Sequence, residues 1–131
     1  QQKGKEGARN HGGQGFDIFC QVAGGSGLGY IAAAKEKGKY AIGVDADQAD
    51  VAPGVVITSA LKKVDKAVFD VIKTIRLNNF KAGNVINSVA NDGVGYGKLD
   101  KIVPDSAKKA ADAALADIKS GKIIPKDTVA K

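Results

Sequence analysis

The sequence predicts an α/β fold, a three-layer arrangement of a parallel sheet with flanking helices, in one domain over residues 1–131. Three observations carry this. Two short apolar runs, residues 16–23 and 40–45, bracket an Ala-rich helical stretch at 30–37, so that strand, helix and strand together make one βαβ unit of about 30 residues. A third apolar run, 54–58, feeds a segment with helical periodicity, and a second Ala-rich helical pattern follows Pro104. A parallel pair joined by a helical crossover is the economical reading of such alternation.

The elements follow in order. Residues 1–15 are polar and read as the remnant of a frayed helix, with His11 as a surface residue in a Gly-rich stretch. Residues 16–23 read as a buried strand, with Cys20 inside it, and Gly38 is placed to stop the first helix in a left-handed conformation. Residues 45–53 form a polar loop. After the third strand, Ser59 reads as the N-cap of a long helix whose apolar stripe is Leu61, Val64, Val68, Val71, Ile72 and Ile75. The glycine-rich segment 81–99 suggests a hairpin turning at Asn91-Asp92-Gly93. Pro104 and Asp105 open the last helix, and Gly121 closes it.

Composition narrows the function. At 131 residues, 44% hydrophobic and 26% charged, the chain can bury a core and has an ordinary globular balance. Its net charge of +6 would permit nucleic acid as a partner, but no basic run is interleaved with aromatics, so no nucleic-acid role is expected. One cysteine excludes an internal disulfide framework and a multi-cysteine metal site. No signal-like segment precedes Cys20, and no window reaches the ~18 apolar residues of a membrane span. The chain begins without Met, which suits a processed protein and an internal fragment alike.

Gly24-Gly-Ser-Gly-Leu-Gly29 lies between a strand and a helix, and Asp45 ends the next strand, so both sit where ligands bind in open α/β sheets. Glycines there serve either close approach to a ligand or tight helix–sheet packing. A dinucleotide-binding enzyme domain is the alternative, since Asp45 follows Gly25 at the spacing of a ribose-binding acid, but Tyr30 occupies the place of the third fingerprint glycine. Lys62 would fall in the first turn of the long helix, where the macrodipole costs a cation ~0.3–1 kcal/mol. A ligand role would account for it: the ammonium donates to hydroxyls, Asp45 accepts from them, and Phe19, Val22 or Tyr30 offers an apolar face to a flat base. With no nucleophile–base constellation and no phosphate loop, binding without chemistry is expected, with no enzyme activity, cofactor or metal.

Four stretches carry a resemblance: Val22-Ala-Gly-Gly-Ser-Gly-Leu-Gly29, Lys35-Glu-Lys-Gly-Lys-Tyr-Ala-Ile-Gly-Val-Asp45-Ala-Asp-Gln48, Thr58-Ser-Ala-Leu-Lys62-Lys-Val-Asp65 and Asn91-Asp-Gly-Val-Gly95. Over roughly residues 16–121 the chain resembles the basic membrane protein family, purine-nucleoside-receptor-like solute-binding lipoproteins of bacterial ABC importers. The resemblance implies one lobe of a type I periplasmic-binding-protein-like fold and a purine nucleoside or similar ligand in an interlobe cleft. It assigns ligand contact to Gly24 and Gly25, and ribose binding to Asp45 and Lys62; base stacking has only Val22, Cys20 and Phe19 as local candidates. It also implies an ABC permease as partner, an extracytoplasmic, lipid-anchored full-length form whose anchor lies outside this chain, and family members about twice as long. The missing N-terminal lobe or a second chain would then complete the cleft, and the stripe of the long helix and the last helix offer surfaces for pairing. A half-length interaction or regulatory protein that keeps the fold without transport is the other expectation.

Overall fold

In the computed structural model, residues 2, 4–7 and 15–125 are described; His11 lies outside them. The chain divides into two compact units, Gln1–Lys62 with Tyr96–Val103, and Lys63–Gly95 with Pro104–Lys131. Residues 4–7 are helical, as the polar start of the chain suggested.

The first unit is built on the βαβ element. β1 (Ile18–Cys20) pairs parallel with β2 (Tyr40–Asp45), Phe19 opposite Ala41, and α1 (Gly27–Glu36) connects them. Ile31 and Ala34 of α1 join Phe19, Ala41, Ala52 and Val56 in the core. Gly29 and Ala33 are also buried, so the helix presents small residues that bring its backbone close to the sheet. At its end, Gly38 (φ +61°) donates to Lys35 O and Lys39 donates to Ala34 O, a Schellman closure that satisfies two terminal carbonyls.

β2 pairs parallel with β3 (Val56–Lys62), and the register slips by one residue after Ala41: Ala41 faces Val56, but Ile42 faces Thr58. Strand side chains alternate, so residues 56 and 59 would ordinarily face opposite sides. The extra residue, Ile57, restores the phase, and Val56 and Ser59 both become buried opposite Ala41 and Gly43. The sheet order is β1-β2-β3-β4, with β4 at Val94–Tyr96. Backbone bonds from Lys63 N to Gly93 O, Gly97 N to Ser59 O and Asp100 N to Ile57 O run the two segments in opposite directions. The parallel α/β sheet read from the sequence therefore gains an antiparallel fourth strand.

Three local expectations are corrected. Cys20 is exposed, because alternation in the short edge strand turns Phe19 inward and leaves Ile18 and Cys20 on the open face. Ser59 caps no helix: pairing with β2 keeps the chain extended through Lys62, and α2 begins only at Val64 and runs to Arg76. Residues 84–88 form no strand. There the Asn91 side chain accepts from Ser88 N and donates to Ile86 O, occupying backbone groups that a hairpin ladder would need.

In the second unit, α3 (Asp105–Lys119) begins after Pro104 and ends before Gly121 at φ +78°. The apolar stripe of α2 is not buried. Val64, Val68, Ile72 and Ile75 are each more than half exposed, while Lys66, Ala67, Asp70 and Thr74 are the partly covered positions.

Candidate functional site

The carboxyl ends of β1, β2 and β3 meet at one end of the parallel part of the sheet, the edge where open α/β sheets receive ligands. β1 leads through residues 21–23 into a 3-10 turn at Gly24–Ser26 and then into α1. Gly24 has φ +51°, which favours glycine by itself. Gly25 has neither a positive φ nor any atom within 4 Å of a would-be Cβ, so the fold supplies no reason for glycine there. Gly27 is different. A Cβ at that position would lie 2.0–2.5 Å from the amide of Gln21, so this glycine makes room for the protein's own side chain.

Asp45 ends β2 with φ +66°, and Ala46 N donates to Val44 O at 2.9 Å across it. This three-residue turn with a positive central φ is the rare, strained γ form. Asp45 is exposed and stands opposite Leu61 in the β2–β3 register, one residue before Lys62. Lys62 is the last residue of β3 and also exposed. Its position is therefore a strand end rather than a helix first turn, and the macrodipole penalty inferred from the sequence does not arise. Beside the glycine turn, a groove of about 360 Å³ is lined by Phe16, Ile18, Cys20, Val22, Ala23 and Tyr30 with Phe19 and Gln21. Val22 is 87% exposed, whereas Phe19 is 6% exposed and given over to the core.

Below these exposed residues runs a polar network that the sequence did not reveal. Gln21 is 3% exposed and Ser59 fully buried. Gln21 Oε1 accepts from Ala23 N at 3.1 Å, and Gln21 Nε2 donates to Gln48 Oε1 at 3.3 Å. Gln48 Oε1 also accepts from Val44 N at 3.1 Å, and Gln48 N donates to Ser59 Oγ at 2.9 Å. Ser59 Oγ donates to Asp47 Oδ1 at 3.2 Å, and Asp47 further accepts from Ala49 N and Lys98 N. The Lys98 backbone N–H is foremost in holding the Asp47 carboxyl below the usual carboxylate range; burial works against it, and the Ala49 and Ser59 bonds add to it. Every buried side-chain polar atom among the described residues has a partner. A signal was present in Gln21, the one long polar side chain in the apolar run 16–23, but its meaning needed the fold. Among the described residues no group of three or more His, Cys, Asp or Glu is arranged to hold a metal, and no helix is long and apolar enough to cross a membrane.

Residues 1–128 match the family model described as "Bmp: ABC transporter substrate-binding protein PnrA-like". Basic membrane protein A1 of Borrelia garinii subsp. bavariensis is 38% identical over 114 residues, 84% of this chain and 34% of that protein. The chain thus spans about a third of the length of the curated relatives it matches. Two solved structures share the fold at 24% identity. A transcriptional activator of the comK gene from Bacillus halodurans aligns with TM-score 0.86, covering 92% of this chain and 43% of that one. An ABC transporter system solute-binding protein from Aeropyrum pernix K1 aligns with TM-score 0.80, covering 95% and 45% respectively.

Proposed function

We propose that this chain, which belongs to the Bmp family of PnrA-like ABC transporter substrate-binding proteins, forms one wall of a cleft that binds a purine nucleoside or a similar solute. The observation that supports the reading is the order of exposed residues past one end of the parallel strands: Gly24 and Gly25 in the turn that follows β1, Asp45 at the end of β2 and Lys62 at the end of β3. In that arrangement Asp45 accepts hydrogen bonds from ribose hydroxyls and Lys62 donates to them. Gly24 and Gly25 let the ligand approach the backbone, and glycine at 25 has no other explanation in the fold. Asp45 is held in a left-handed conformation that an L side chain pays to adopt, which fits a residue kept for its carboxylate rather than for its backbone. The groove beside Val22 and Tyr30 offers the apolar surface a base requires.

On this reading the solute is bound and released without chemistry, and the opposite wall comes from a further lobe or a second chain. An ABC permease receives the solute, and the full-length form is an extracytoplasmic lipoprotein. A dinucleotide-binding role is disfavoured because Gly27, which would have to admit a pyrophosphate, is filled against by Gln21. One wall covers only one side of a ligand, so this chain alone should bind it weakly.

Titration of the 15N-labelled chain with inosine, adenosine, guanosine, ribose and NAD, followed by amide shifts, tests the reading. The nucleosides should move the amides of Gly24, Gly25, Asp45 and Lys62, and Asp45→Ala or Lys62→Ala should each weaken binding by roughly tenfold. Unchanged affinity in both variants would remove these residues from the site. Absence of binding by any nucleoside, or tighter binding of NAD, would remove the function.

A further inference from the structure

The geometry points to the Gln21–Gln48 side-chain pair as a positioning bridge that sets the spacing between the glycine turn and the Asp45 turn. Its ends are fixed by backbone. Gln21 Oε1 accepts from Ala23 N, immediately before Gly24, and Gln48 Oε1 accepts from Val44 N, immediately before Asp45. Each of those N–H donors dictates which way its amide faces. Gln21 must then present Nε2 to Gln48, and Gln48 must present Oε1, which is the 3.3 Å bond that joins them. The two turns are tied through two side chains and three hydrogen bonds.

Gln48 is anchored from behind as well. Its own N–H donates to the buried Ser59 hydroxyl, which donates to Asp47, and Asp47 holds the backbone of Ala49 and Lys98. Three glycines with ordinary φ values make room for this assembly. A Cβ on Gly27 would meet the Gln21 amide, one on Gly43 would lie 2.6 Å from Ser59 Oγ and 2.8 Å from Gln48 Oε1, and one on Gly97 would lie 2.8 Å from Asp47 Oδ2. Glycine at all three places is what the bridge and its anchor require. A partly buried amide pair with both ends committed has little freedom to rotate, so the strained Asp45 turn is held rather than sampled.

The consequence for binding rests on the proposal that the two turns contact one ligand, but the geometric part does not. Gln48→Met keeps the length of the side chain and removes the acceptor, whereas Gln48→Glu keeps an acceptor for both donors. Should the Met variant fail to fold, Gln48→Asn, one methylene too short to reach Val44 N, makes the same comparison. Residual dipolar couplings of the amides at 23–25 and 44–46, measured without ligand, should change together in Gln48→Met and return in Gln48→Glu. Inosine binding should weaken roughly tenfold in the first and recover to within about threefold in the second. A Met variant that only melts earlier, with couplings and inosine affinity unchanged, would reduce the pair to ordinary packing and overturn the inference. If the unmodified chain binds none of inosine, adenosine and guanosine, the nucleoside reading falls, and the couplings alone still decide whether the bridge positions the turns.

Discussion

Asp47 accepts bonds from Ala49 N, Lys98 N and Ser59 Oγ, while Asp45, two residues earlier, stands exposed in a left-handed turn. The same side chain thus braces the backbone at one position and, on the proposed reading, is presented to the solute at the other. The brace has a pH signature. Hydrogen bonds hold the Asp47 carboxyl below its ordinary range, led by the Lys98 N–H, so its folded pKa is lower than its unfolded one. Its stabilisation is therefore complete above the unfolded value, near pH 4, and is lost as pH falls through the folded value. Urea midpoints measured from about pH 6 to pH 2 should show a steeper acid limb for the natural chain than for Asp47→Asn. Parallel acid limbs would mean that Asp47 is not held as described. Asp45 was legible as a site candidate from its place at a strand end, but its backbone strain was not. Nothing in Val-Asp-Ala announces a γ-turn, and the Gln48 amide oxygen that accepts from Val44 N lies four residues further along the chain.

At the scale of elements, signals carried by neighbouring residues are plain in the sequence, whereas the strand pairing that extends β3 through Lys62 is not. The stop of α1 at Gly38 depends on six consecutive residues, Ala34 to Lys39, all visible together in the sequence. The start of α2 depends on β2. Leu61 fits the helical spacing of Val64 and Val68, which in sequence places the start of the stripe there, yet pairing of Gly43, Val44 and Asp45 with Ser59, Ala60 and Leu61 holds that stretch in the sheet. The register slip at Ile57, which turns Ser59 inward, has no signature in the residues themselves. Gly43 is where this pairing is most sensitive. It is buried, and an added methyl would press on Ser59 Oγ and Gln48 at 2.6–2.9 Å. Gly43→Ala should destabilise the chain by about 1–3 kcal/mol, measured by urea unfolding, and should speed hydrogen exchange at Gln48 N–H, whose acceptor is Ser59. A neutral substitution with unaltered exchange would mean that the network moves aside freely.

For the molecule as a whole, the decisive feature is apolar surface without cover. Burial is concentrated in the first unit, where Phe19, Ile31, Ala34, Ala41, Ala52 and Val56 form the core, and no residue of α2 or α3 is fully buried. Val64, Val68, Val71, Ile72 and Ile75 lie along one face of α2 at 41–55% exposure. Water in contact with such a stripe is unfavourable at about 25 cal/mol per Å² of apolar area, so the chain gains by covering it. The chain spans about a third of its curated relatives' length. In dilute solution the sources of cover are another copy and an apolar dye. The chain should accordingly enhance the fluorescence of anilinonaphthalene sulfonate or sediment above its monomer mass. Val68→Lys combined with Ile72→Lys should suppress both behaviours while changing unfolding free energy by no more than about 0.5 kcal/mol, since neither side chain supports the core. A large loss of stability would show instead that the stripe is packed within the folded chain, and equal dye binding by both proteins would place the uncovered surface elsewhere, with the groove beside Val22 the next region to probe.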